Sequence, residues 1–147
     1  MADECLSVQE RYGVDVNAML LCAWLAAERH IALTPSDIEQ CRDATAEWNE
    51  RAVKPLRAAR RAMKGLAGAE GMRKRVKELE LEAEQTEQAA LYEFAEYTWS
   101  QAGNANPSEA LRSNLDLFLR AHGAPAAHIV PTLLRTVEAE IRRSAAS

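Results

Sequence analysis

From Met72 to Gln101 the chain runs 30 residues without a glycine or a proline. Apolar residues recur through it at helical intervals: Met72, Val76, Leu79, Ala83, Leu91, Phe94 and Trp99. As one helix it would measure about 45 Å at 1.5 Å per residue. A compact domain of this length is about 38 Å across. The helix must therefore protrude or bend. Immediately before it, Gly65-Leu66-Ala67-Gly68-Ala69-Glu70-Gly71 places three glycines in seven residues, the clearest hinge in the chain. A long helix that starts at a hinge demands a second arm to pack on.

The rest of the chain supplies that arm and more helices. Leu33-Thr34-Pro35-Ser36-Asp37 combines an N-cap, a first-turn proline and an acid at N3, a strong helix start. Ile38, Cys41, Thr45, Trp48, Ala52, Leu56, Ala59 and Met63 follow at steps of three or four. Pro55 should kink or break this helix near Lys54. A short helix is predicted within Asp3 to Tyr12, stopped by Gly13. Asp15 then caps a helix that runs to about Arg29. In it Val16, Leu20, Ala23, Trp24 and Ala27 share one face, with Leu21 and Leu25 across from it. A helix apolar on both sides is central in a bundle or covered by a partner. Asn106, Pro107 and Glu109 repeat the cap signature ahead of Leu111, Leu115, Phe118 and Leu119, which end at Gly123. A last helix carries Ile129, Val130, Leu133, Leu134, Val137 and Ile141, and the tail should fray. No segment has strand periodicity. The expected fold is all-α, a single-domain bundle of six to seven helices at 147 residues. Its hairpin arms cover about 35–64 and 72–102, with the hinge at 65–71.

Charge is segregated along this hairpin. Residues 51–77 hold ten bases and one acid, Glu70, a charge of +9 in a chain of −4. Glu78, Glu80, Glu82, Glu84 and Glu87 follow directly. Bases at the start of a helix and acids further on oppose its macrodipole, so tertiary pairing should compensate. Folding the chain back at Gly68 brings Arg51, Lys54 and Arg57 near Glu84, Glu82 and Glu80. Arg60, Arg61 and Lys64 then meet Arg73, Lys74, Arg75 and Lys77 at a tip with no acids to balance them.

A family likeness rests on Tyr12-Gly13, Asp15-Val16-Asn17, Leu20 and Cys22-Ala23-Trp24-Leu25-Ala26. Weaker pieces are Trp48, Val53-Lys54-Pro55-Leu56-Arg57 with Arg60-Arg61, and Asn114-Leu115. Together they resemble a small, uncharacterised proteobacterial family, a domain of unknown function. The resemblance implies a bacterial, cytoplasmic, all-helical protein and supplies no catalytic residues.

Residue chemistry excludes several classes. The apolar run Val14 to Ala27 spans 14 residues and contains Asp15 and Asn17, short of the about 20 that cross a membrane. The N-terminus has no basic region leading into an apolar run, so no secretory signal is expected. Cys5, Cys22 and Cys41 form an odd set without paired spacing, which argues against a disulfide framework and fits a reducing cytosol. With His30, His122 and His128 they show no zinc-ligand spacing, so no metal or cofactor is expected. Cys22 lies in an apolar run, where burial disfavours a thiolate nucleophile. No nucleophile elbow or phosphate loop is present, and no catalytic residue is assigned.

Two surfaces remain. The basic tip, Arg60, Arg61, Lys64, Arg73, Lys74, Arg75 and Lys77, suits an anion. The primary expectation is a non-enzymatic interaction or regulatory protein that contacts an acidic protein partner there, with a homodimer as a further arrangement. A nucleic-acid-associated protein using the same tip is the alternative. The other alternative is a small-molecule binder or enzyme with a pocket at Tyr12, Asp15, Asn17, Trp24 and Trp48.

Overall fold

The computed structural model describes residues 8–127, 131, 134, 135, 138 and 139. Among them five α-helices are bounded: α1 Val16–Arg29, α2 Pro35–Trp48, α3 Lys54–Ala62, α4 Glu70–Thr98 and α5 Pro107–Ala121. Residues 8–12 are also helical, as are 126, 127, 131, 134, 135, 138 and 139. No described residue is in a strand. Met1 to Ser7, with Cys5 and the start of the expected first helix, lie outside the described residues. So do His128, Ile129, Val130, Leu133, Val137 and Ile141 of the expected last helix, and the tail.

Local chemistry starts the helices where the sequence signals them. The Asp15 side chain accepts from the backbone N–H groups of Asn17 at 3.0 Å and Ala18 at 3.3 Å. Thr34 and Asp37 form a reciprocal capping box, and the Asn106 side chain caps Ser108 and Glu109. Each satisfies first-turn donors that a helix cannot bond internally.

Pro55 does not stop its helix. Residues Asn49–Val53 form a π-helical turn in which the Lys54 N–H donates to the Asn49 carbonyl. Pro55 has no N–H, and its ring would crowd the carbonyl four residues back. Widening one turn absorbs both problems, as π-bulges do. The helical path therefore passes from α2 through the π-turn into α3.

The apolar core lies around α1, α5, the first half of α2 and the end of α4. Leu25, Met19, Ile38, Leu91, Leu111, Leu115, Phe118 and Leu119 are its fully buried large side chains. In α1 the covered residues are Ala18, Met19, Leu21, Cys22, Ala23, Leu25 and Ala26. Of the face shared by Val16, Leu20, Ala23, Trp24 and Ala27 only Ala23 is buried, while Leu21 and Leu25 across from it are both buried. Periodicity shows that both faces are apolar, but α5, the main partner of α1, decides which is sealed.

In α4 the buried positions are Glu80, Ala83, Glu87, Leu91 and Ala95. Of the apolar residues that recur at helical intervals along it, Met72 and Leu79 are 54% and 51% exposed. The buried face changes from carboxylate to apolar as the helix enters the core. α3 buries nothing. It is tied to α4 by ion pairs instead.

Candidate functional site: the basic turn and the buried acids

α3 ends at Ala62 and α4 begins at Glu70. Gly65 and Gly68 in the turn between them both have φ of 78°, which side chains disfavour. Below the turn, Arg57 Nε donates to Glu80 Oε1 at 3.1 Å and its Nη2 to Glu84 Oε1 at 2.7 Å. Arg60 also donates to both oxygens of Glu80. The Arg57 and Glu80 side chains are 12% and 8% exposed, so this ladder is largely shielded from water. Burial pushes the Glu80 carboxyl up, but the hydrogen bonds from Arg60 and Arg57 outweigh it and hold it below the usual carboxylate range. Arg60 rises in turn, chiefly through its hydrogen bond to Glu80.

These pairs correct two tip assignments. Arg60 is spent on Glu80, and Arg61 Nη2 lies 3.0 Å from Glu10 Oε1. A fold-back register ignores how far an arginine reaches along a neighbouring helix, and it ignores the N-terminal helix altogether. Arg51 and Lys54 also pair locally, with Glu47 and Glu50 four residues back, rather than with Glu84 and Glu82. Arg57 meets Glu80 as expected. The remaining cations, Lys64, Arg73, Lys74, Arg75 and Lys77, have no ion pair among the described residues.

Lys64, Arg73, Lys74 and Lys77 line a pocket of about 320 Å³ with Met63, Gly65, Leu66 and Glu70. Leu66 and Met72 are 56% and 54% exposed at this end of the molecule. One buried side-chain polar atom among the described residues has no hydrogen-bond partner, and it is Arg73 Nε. Such an orphan donor costs about 1–3 kcal/mol.

At the other end of α3 lies the mouth of α1. A cleft of about 450 Å³ opens there, lined by residues that include Gly13, Asp15, Arg42, Asn49, Lys54 and His122. Behind it sits Glu87, 1% exposed. Asn17 Nδ2 donates to Glu87 Oε2 at 3.2 Å, and Asn49 Nδ2 donates to its two oxygens at 3.3 and 3.4 Å. Asp15 also faces Glu87, and Thr45 Oγ1 donates to Asp15 Oδ2 at 3.3 Å. Burial, then the hydrogen bond and charge of Asp15, push the Glu87 carboxyl up to about 8. No cation pairs with it among the described residues, so at neutral pH the Glu87 carboxyl keeps its proton.

Of the residues expected to form a pocket, only Asp15 lines this cleft. Asn17 stands behind it on Glu87. Tyr12 packs on the core. Trp24 packs at a tilt against Tyr92, ring centroids 5.6 Å apart, with Arg29 over its ring at 5.9 Å. Trp48 is 43% exposed and donates through Nε1 to the Ala83 carbonyl. They are not brought together. The cations of the cleft are also engaged: Lys54 holds Glu50, and Arg42 donates to the Ala121 carbonyl at 3.3 Å. The His122 imidazole is lowered by burial. The hydrogen bond to Cys41, reinforced by burial, pushes the Cys22 thiol well above its usual range, which makes it inert as a nucleophile. Among the described residues no group of His, Cys, Asp or Glu is placed to hold a metal ion, and no helix is long and apolar enough to cross a membrane.

Sequence reasoning missed Glu87, Asn49 and the orphan donor of Arg73. One signal for Glu87 existed: stepping back by four from Ala95 and Leu91 reaches it, on the buried face. Nothing local marks Asn49 or Arg73.

In comparison with known proteins, the family described as a protein of unknown function, DUF2390, matches residues 1–91. That span holds the basic turn, the ion-pair ladder and the residues named at the cleft except His122. No curated protein and no solved structure matches the chain.

Proposed function

We propose that this chain, which belongs to the DUF2390 family of unknown function, is a non-enzymatic interaction protein that docks an acidic protein through the turn between α3 and α4. In this reading α2 with α3 forms one arm and α4 the other arm of a long hairpin, within a bundle of six or seven helices. The setting is a bacterial cytoplasm, in keeping with Cys22 and Cys41 as free buried thiols. The observation that carries it is the concentration of Lys64, Arg73, Lys74, Arg75 and Lys77, unpaired among the described residues, beside the exposed Leu66 and Met72. Cations alone would suit phosphates. Apolar side chains between them favour a protein surface, where they are removed from water on contact.

The test exchanges Lys64→Gln, Lys74→Gln, Arg75→Gln and Lys77→Gln together. None of these residues belongs to the ladder on Glu80, so the fold should survive. Affinity purification from native cells should recover a protein with wild type and lose it with the variant. Retention of every partner by the folded variant would remove the turn from consideration. If the bound material is RNA or DNA, and log K falls linearly with log salt, the nucleic-acid reading replaces this one.

A further inference from the structure

The orphan donor at Arg73 sharpens the docking reading, on which this step rests. Three independent features converge at the pocket formed by Lys64, Leu66, Glu70, Arg73, Lys74 and Lys77. First, four cations face one acid. Second, Arg73 Nε has no hydrogen-bond partner among the described residues, whereas the large majority of buried side-chain polar atoms have one. Third, no side chain caps the start of α4, so its first-turn N–H groups add positive potential beside the pocket. Elsewhere Arg57, Arg60, Arg61, Arg29, Arg51 and Arg120 hold carboxylates, although Arg11, Arg42 and Arg112 hold none among the described residues. We infer that the pocket is the seat for a single carboxylate side chain of the partner, anchored on the Arg73 guanidinium edge, with an apolar neighbour of that residue covering Leu66.

A carboxylate is favoured over a phosphate by the pocket wall. Met63 and Leu66 line it together with the cations. A polyphosphate backbone would leave those side chains in water, whereas an acidic segment with interleaved apolar residues covers them. Lys64, Lys74 and Lys77 supply attraction as mobile point charges, while the planar guanidinium supplies direction.

The experiment uses the full chain and a blocked hexapeptide that alternates glutamate and leucine. Its first measurement is the Arg73 Nε–H signal in a proton–nitrogen correlation spectrum. The signal should shift and gain protection on titration with the peptide. Inorganic phosphate and a single-stranded oligonucleotide serve as further arms. The second measurement is peptide affinity. Arg73→Lys keeps the charge but lacks the guanidinium edge, so it should weaken binding about tenfold. Arg75→Lys, a cation of the turn that does not line the pocket, should change affinity less than about twofold. Equal losses for the two variants would show diffuse attraction without a seat, which overturns the inference and leaves the docking reading standing. A shift of the Nε–H signal by phosphate at lower concentration than by peptide would overturn the carboxylate assignment. Oligonucleotide binding with no peptide binding would overturn the docking reading itself. Should Arg73→Lys fail to fold, the wild-type Nε–H titration decides alone.

Discussion

Asn114 shows how much one side chain can hold. It is fully buried on α5. Its Oδ1 accepts from the Leu33 N–H at 2.9 Å, and its Nδ2 donates to the Cys22 and Ile31 carbonyls, both at 3.0 Å. It thereby joins α5, α1 and the loop that leads into α2. Asn114→Ala should strand two buried backbone groups and one partly buried one and cost about 2–4 kcal/mol, read as a drop in Tm of roughly 2–4 °C per kcal/mol. Gly103 is constrained differently. A Cβ there would lie 2.3 Å from the His30 carbonyl oxygen, because Gly103 N donates to the Arg29 carbonyl at 2.8 Å. His30 itself has φ of 54°. Backbone on both sides leaves nothing flexible to move, so Gly103→Ala should cost about 1–3 kcal/mol in the same assay. Trp24, by contrast, is only partly covered. Its truncation should cost about 2 kcal/mol, below the roughly 3–5 of a fully buried tryptophan.

At the scale of an element, α4 carries two buried acids seven residues apart on one face, in opposite protonation states. Glu80 meets Arg57 and Arg60 and stays ionised. Glu87 meets two amides and Asp15 and holds a proton. Their pH effects therefore have opposite sign. The Glu87 carboxyl binds its proton more tightly in the folded chain, up to about 8. Its contribution is complete below the usual carboxylate pKa of 4.5 and is lost as pH rises from there toward about 8. The Glu80 contribution is present above that usual pKa and is lost as pH falls through its lowered value. Denaturant titrations across pH 5–9 should show stability falling on the alkaline side in wild type, and Glu87→Gln should flatten that limb. A wild-type profile that does not fall would mean that Glu87 is ionised in the native state. Glu80→Gln should instead destabilise by about 3 kcal/mol at neutral pH, because two shielded arginines lose their partner. The π-turn belongs to this same element logic. It gives Pro55 room, and Asn49, which donates to Glu87, opens it.

For the whole molecule, stability and the proposed docking surface occupy different ends. The apolar cluster involves α1, α2, α5 and α4 from Leu91 onward. α3 and the first half of α4 contribute no residue to it, and the Arg57–Glu80–Arg60 ladder joins them. Seven residues of turn, with Gly65 and Gly68 left-handed, close that end without burial. Limited proteolysis should cut first within Gly65 to Gly71. First cleavage near Gly103 would contradict this, since its backbone is hydrogen-bonded to Arg29. Because the core is remote from the turn, neutralising the turn cations should leave Tm within a few degrees of wild type.

What the sequence determined by itself is the set of features written in neighbouring residues. Asp15, Thr34 and Asn106 begin helices because a side-chain oxygen two or three residues upstream is all that a first turn requires. The all-α class follows from unbroken three-to-four spacing, and Pro55 marks a disturbance of its helix through its missing N–H, although only the structure shows that a widened turn absorbs it. The excess of cations around the turn was equally plain from composition. Which face of α1 is sealed, which arginines remain free and which acid keeps a proton were not legible. Those outcomes depend on groups far apart in the chain: Asn17 reaches Glu87 across 70 residues, and Arg61 reaches Glu10 across 51. Only packing brings such pairs to hydrogen-bond distance, and only there do burial and charge decide between an ion pair, a retained proton and an unsatisfied donor.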